Sequence, residues 1–211
     1  DLLAKSYLTL GMLHFRTSSF DSAKVYMNRA LKICETNTLT AEILDNLGVL
    51  YKDLSRYDSA IVYHNQALNL QQMLGNRDAV AVGYKNIGNV YMQMAKYEDA
   101  LDFYNRAYNE YNSSGDNKKS IATLYNSMSA AYVGLTQYSK ALSYVVQAVD
   151  IQSEIGDRTG EAYTLNGIGN FYFRLHVYDK AQEYYTKSLE LRMLLGDKND
   201  IAASLFNIAT V

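Results

Sequence analysis

Apolar residues recur along this chain at helical spacing, then break and begin again. Leu44, Leu47 and Tyr51 fall at i, i+3 and i+7, and Ala60, His64 and Ala67 follow with the same period. The pattern predicts two helices per unit, and the unit repeats. A small residue of the first helix recurs as Gly11, Gly48, Gly88, Ser129, Gly169 and Ala209, in steps of 37, 40, 41, 40 and 40. Asn86-Ile87-Gly88-Asn89-Val90-Tyr91, then Tyr97 and Ala100, then Ala107, is the fullest statement of the set. Small residues at these places let two helices approach closely, and the neighbouring large ones fill the space beside them. A lone helix pair cannot bury both its faces, so units must stack.

Between the helices of each unit an aromatic precedes a polar or acidic residue: Phe20-Asp21, Tyr57-Asp58, Tyr97-Glu98, Tyr138-Ser139 and Tyr178-Asp179. Asp and Ser there predict helix N-caps, with the acidic charges also opposing the positive end of the dipole. The aromatic is expected to fold over the turn as an apolar lid. Each later second helix is predicted to stop at Gly75, Gly115, Gly156 or Gly196, with Asn or Asp turning the chain onward. No Lys-Ser/Thr follows these glycines at P-loop spacing, so they do not read as phosphate cradles. Unit one closes differently, through Glu35-Thr36-Asn37, and Asn117-Lys118-Lys119 accommodates the longer third step.

These residues resemble the tetratricopeptide repeat, whose pattern of a large residue, leucine, glycine, tyrosine, alanine, aromatic and alanine spans ~34 residues. Tyr84, Ile87, Gly88, Tyr91, Ala100, Tyr104 and Ala107 fill those places in unit three. Unit five gives Leu165, Ile168, Gly169, Tyr172, Ala181, Tyr185 and, off-pattern, Ser188. Every unit lacks the terminal proline, as in the extended forms of kinesin light chains, cell-polarity adaptors and bacterial sensor regions. The resemblance implies an all-α, right-handed superhelix whose first helices line a concave groove. Residues 1–211 are expected to form a single domain, with repeats near 4–40, 41–80, 81–121, 122–161 and 162–201 and a partial sixth over 202–211.

Composition agrees. The chain has no proline, where about ten would be expected at ~5% usage, which favours long uninterrupted helices. Twenty basic against 22 acidic residues, mixed along the chain, give no basic stripe for nucleic acid. No apolar run is long enough to span a membrane, and direct membrane contact is not expected. Cys34 is the single cysteine and reads as a buried structural thiol. The chain starts at Asp1 and stops at Val211 inside a helical pattern, so it is expected to be cut from a longer protein.

No catalytic constellation is present, and no metal or cofactor is expected. His14, His64 and His176 sit at unrelated places without partners at ligand spacing, and the first two stand where tyrosine stands elsewhere, as packing residues. Amides stand out instead. By the geometry the family implies, Lys85, Asn86, Asn89, Asn126, Tyr163, Asn166, Asn170, Phe173 and Arg174 face the groove. Asparagine is a poor interior helix residue, so its repeated placement needs a reason, and its amide both donates to and accepts from a peptide backbone. The other reading is that Asn46, Asn86 and Asn207 hold neighbouring helices together. Small residues Ser127, Ala130, Gly134 and Gly167 leave room beside Tyr163 and Phe173. The carboxylate clamp of chaperone-tail adaptors does not fit: Lys85 and Asn89 match its start, but Ser127, Tyr163 and Gly167 fill its other places.

The expected function is non-enzymatic binding of a peptide or protein segment, in the sensory region of a bacterial signalling protein of the two-component kind, periplasmic or cytoplasmic. A cytoplasmic adaptor of the kinesin-light-chain kind, or a structural spacer that uses the solenoid for homodimer or domain packing, are the alternatives.

Overall fold

Eleven helices follow one another in the computed structural model, which describes residues 1–115 and 117–211. They pair in chain order: α1 (Leu2–Arg16) with α2 (Phe20–Ile33), α3 (Asn37–Asp53) with α4 (Tyr57–Met73), and α5 (Arg77–Gln93) with α6 (Tyr97–Ser114). These pairs make one compact unit, over 1–115. The second holds α7 (Lys118–Gly134) with α8 (Tyr138–Glu154), α9 (Arg158–Arg174) with α10 (Tyr178–Leu195), and α11 (Lys198–Ala209). Within each unit a second helix also packs on the first helix of the next pair.

The turn from a second helix to the next first helix matches expectation. Gly75, Gly156 and Gly196 take φ of +68°, +70° and +78°, and Gly115 takes +105°. The Gly75 and Asn76 N–H groups close α4 on the carbonyls of Gln72 and Gln71, satisfying acceptors that would otherwise be orphaned. Asn76, Asp157 and Asp197 then cap the following helices, accepting from the N–H of Ala79, Gly160 and both Asn199 and Asp200. Asp116, the equivalent residue after Gly115, lies outside the described residues.

The turn inside each pair departs from expectation in two ways. The helix begins at the aromatic itself, so Asp21, Asp58, Glu98, Ser139 and Asp179 lie in the first turn and cap nothing. The acidic ones still oppose the dipole. The preceding helix closes through a left-handed residue that is never glycine: Ser18, Ser55, Ala95, Thr136 and His176, at φ between +56° and +59°. Ala95 and Lys96 show why, since their N–H groups reach the carbonyls of Met92 and Tyr91, the same closure that glycine makes elsewhere.

Aromatic pairs tie the two helices of every repeat. His14 stacks on Tyr26, Tyr51 on Tyr63, Tyr91 on Phe103, Tyr132 on Tyr144 and Tyr172 on Tyr184, with ring planes within 16° of parallel. This confirms His14 as a packing residue. Cys34 is half-buried rather than buried, with its thiol accepting from the Thr40 hydroxyl at 3.4 Å.

Candidate functional site

A second contact recurs beside the stacked pair. Met27, His64, Tyr104 and Tyr185 each press onto a first-helix glycine, Gly11, Gly48, Gly88 and Gly169 respectively. A Cβ at Gly48 or Gly88 would stand 2.6 Å from the opposing ring, so only glycine fits there. These four side chains are at most 2% exposed. The rings also carry a polar end that finds a first-helix partner. Tyr104 Oη donates to Asn89 Oδ1 and Tyr185 Oη to Asn170 Oδ1, both at 2.8 Å. His64 Nδ1 lies 2.7 Å from Asp45 Oδ1. Burial raises the Tyr185 phenol above its ordinary pKa.

The α7–α8 pair breaks this rule. Ser129 replaces the glycine and turns its hydroxyl to the Ala141 carbonyl at 2.8 Å. Val145 replaces the ring and is half-buried, and Ala130 stands where Asn89 and Asn170 stand in their repeats. With the ring gone, a cavity of about 820 Å³ opens over Ser129 and Val145, between the α7 and α9 faces. Its size suits a multi-atom organic group, since ligand pockets run ~300–1,000 Å³.

Of the residues that the sequence points to, Asn126, Tyr163, Asn170 and Arg174 line this cavity. Tyr163 is 69% exposed and therefore offers its ring to solvent. Gly167 has open space above its Cα, as the row of small residues leads one to expect. Lys119 pairs with Asp157 at 3.3 Å, which leaves Arg174 as the rim cation without a carboxylate among the described residues. Asn166 lies outside the lining and accepts from Asn207 Nδ2 at 2.8 Å, joining α9 to α11. Phe173 meets Tyr178 edge to face instead. Asn126 does both things: its Nδ2 donates to Thr164 Oγ1 at 2.8 Å across to α9, while its Oδ1 is buried without a partner among the described residues.

Lys85, Asn86 and Asn89 belong to the other compact unit. There Asn86 Nδ2 bridges both carboxylate oxygens of Asp45 at 3.0 Å, joining α5 to α3. Lys85 is half-buried, and desolvation lowers its pKa while Asp45 opposes that shift. Among the described residues Asn46 bonds only its own helix, at the Glu42 carbonyl. Among the described residues no cluster of His, Cys, Asp and Glu could hold a metal ion, and no helix is long and apolar enough to cross a membrane.

Sequence reasoning missed Val145 and Gln152. Gln152 is 3% exposed, lines the cavity, and has an Oε1 with no partner among the described residues. The available signal was the substitution of valine and serine for the ring and glycine of neighbouring repeats.

The model of the tetratricopeptide repeat family matches residues 2–73, 79–154 and 160–211. No curated protein matches the chain in sequence. Among solved structures, aspartyl phosphate phosphatase F from Bacillus subtilis is 17% identical with a TM-score of 0.87, over 98% of this chain and 55% of that one. A signal transduction ATPase with numerous domains (STAND) from Pyrococcus horikoshii, which carries a tetratricopeptide repeat sensor, is 16% identical with a TM-score of 0.81. That match covers 97% of this chain and 32% of the other. A Rap protein complexed with competence and sporulation factor is 19% identical with a TM-score of 0.76, over 99% of this chain and 64% of that one. The chain thus spans between 32% and 64% of the length of these three.

Proposed function

Because the chain belongs to the tetratricopeptide repeat family, a protein-interaction scaffold built of paired helices, we propose that it binds an extended peptide or protein segment on the α7–α9 face. It does so without catalysis. The observation that carries this reading is the 820 Å³ cavity, walled by amides and rimmed by Tyr163 and Arg174. An exposed aromatic ring and an unanswered guanidinium beside an apolar floor are what a peptide anchor needs: the ring supplies contact area, and the guanidinium a planar double donor for a carboxylate. The favoured segment therefore carries an acidic group next to a bulky one. Asn170 and Asn126 supply the amide contacts, with Asn166 and Phe173 behind them as supports.

The setting proposed is the sensory region of a larger bacterial signalling protein. It is supported by the similarity to a phosphatase, to a signal transduction ATPase with a repeat sensor, and to a Rap protein in complex with a signalling factor. The test is selection from a displayed library of random peptides against the purified chain. Enrichment of sequences pairing an acidic with a bulky residue supports the proposal. Failure to enrich any peptide above background would leave the spacer reading in its place.

A further inference from the structure

We infer that the floor of this cavity is a subsite for one aromatic side chain bearing a hydrogen-bond donor, a tyrosine or tryptophan of the bound segment, which fills the place that the repeat elsewhere fills from within. The inference rests on the peptide-binding reading above and names the chemistry of its anchor.

Where the repeat is complete, a buried ring lies on the small residue of the first helix and turns a polar atom to that helix. Tyr104 and Tyr185 reach one position after their glycine, where the fourth repeat has Ala130, whereas His64 sends its Nδ1 to Asp45, three positions before Gly48. The corresponding position in the fourth repeat, three before Ser129, is Asn126. Its Oδ1 is buried and unpartnered, in the wall of the cavity that the missing ring has opened. With Nδ2 donating to Thr164 Oγ1, the atom of Asn126 left over is the carbonyl oxygen, which needs a donor from the guest. A buried polar atom without a partner costs stability until something binds it. A second such atom, Gln152 Oε1, belongs to the same cavity.

Two coupled features point to an aromatic rather than an aliphatic guest. Val145 is half-buried where Met27, His64, Tyr104 and Tyr185 are at most 2% exposed, and three of those four fill the place with a ring. The unsatisfied atom belongs to the residue in the register position of Asp45, toward which His64 turns its ring nitrogen in its own repeat. A phenol or an indole supplies both the face and the donor. A leucine supplies neither, and a phenylalanine leaves Asn126 unanswered.

The experiment uses the whole chain and the side-chain analogues p-cresol and toluene, titrated by NMR with the methyl groups of Val145, Ala130 and Val133 as reporters. p-Cresol is expected to shift these methyls and to bind several-fold more tightly than toluene. In the double variant Ser129→Gly with Val145→Tyr, which restores the ring and its glycine, p-cresol affinity should fall about tenfold or more, with the melting temperature held or raised. Gln152→Leu and Asn126→Leu show which acceptor is used, by abolishing the preference over toluene. Equal shifts for p-cresol and toluene, or unchanged binding in the refilled variant, would overturn the inference. If library-selected peptides bind with no aromatic preference and regardless of refilling, the inference fails while peptide binding stands. If p-cresol binds and is displaced by refilling but no peptide binds, the peptide reading fails and the cavity's chemistry stands.

Discussion

Tyr104 lies on Gly88 with its ring, and no side chain could be added to that glycine without entering the ring. A methyl at Gly88 would stand 2.6 Å from the ring, and Tyr104 is 1% exposed, so it has nowhere to retreat. Gly88→Ala is therefore expected to destabilise by ~1–3 kcal/mol through overpacking. Lys96→Ala, at the exposed turn preceding α6, should be close to silent. Urea denaturation of the two variants checks this, and equal midpoints would mean that the helices do not nest as described.

The link between α3 and α5 through Asp45 should be measurable on its own. Asn86→Ala removes a donor shared by both oxygens of a carboxylate, and His64 Nδ1 remains on one of them. Hydrogen bonds to charged groups are worth ~1.5–3 kcal/mol, and partial exposure of Asp45 places the loss near the lower end. Asn46→Ala, whose amide reaches only its own helix, should cost less. Comparing the two in one denaturation series separates stack-holding amides from bystanders.

Both kinds of turn use left-handed residues, but only one kind uses glycine. Ala95 sits at φ +56°, where a Cβ crowds the following carbonyl, so Ala95→Gly should stabilise the protein by about 0.5–1 kcal/mol. Gly156→Ala, at φ +70°, should destabilise it by about 1 kcal/mol. Thermal unfolding of both variants gives the signs, which are expected to be opposite.

The compact unit over 1–115 has its own buried core, including Ile43, Leu47, Leu50 and Val90. Since repeat proteins are stabilised mainly by neighbouring contacts, a fragment ending at Gly115 should keep a helical circular dichroism spectrum and unfold cooperatively. A random-coil spectrum for that fragment would contradict the local origin of stability.

The helices were legible because glycine and alanine at fixed spacing admit only close helix packing, and because no proline interrupts them. The capping residues were not, since Asp58 and Glu98 sit one place beyond the aromatic that opens the helix, and sequence cannot distinguish first turn from cap at that range. Ser55, Ala95 and Thr136 carry no mark of a left-handed backbone, because they are exposed and are held there by backbone hydrogen bonds that close the preceding helix. The asparagines were recognisable as a set but not by task. Asn170 takes a bond from its own repeat's tyrosine, while Asn126 and Asn166 reach a neighbouring repeat. That division follows register: Asn170 comes one place after the small residue of its helix, whereas Asn126 and Asn166 come three places before theirs.

The central claim is that a segment binds on the α7–α9 face, and its rim can be changed without touching the core. Tyr163 and Arg174 are both exposed, so Tyr163→Ser with Arg174→Gln should leave the melting temperature within a few degrees. A fluorescently labelled library-selected peptide is titrated against both proteins by anisotropy. About tenfold or greater loss of affinity in the double variant, with folding preserved, is the predicted result. Equal affinity for the two proteins would contradict binding at this face.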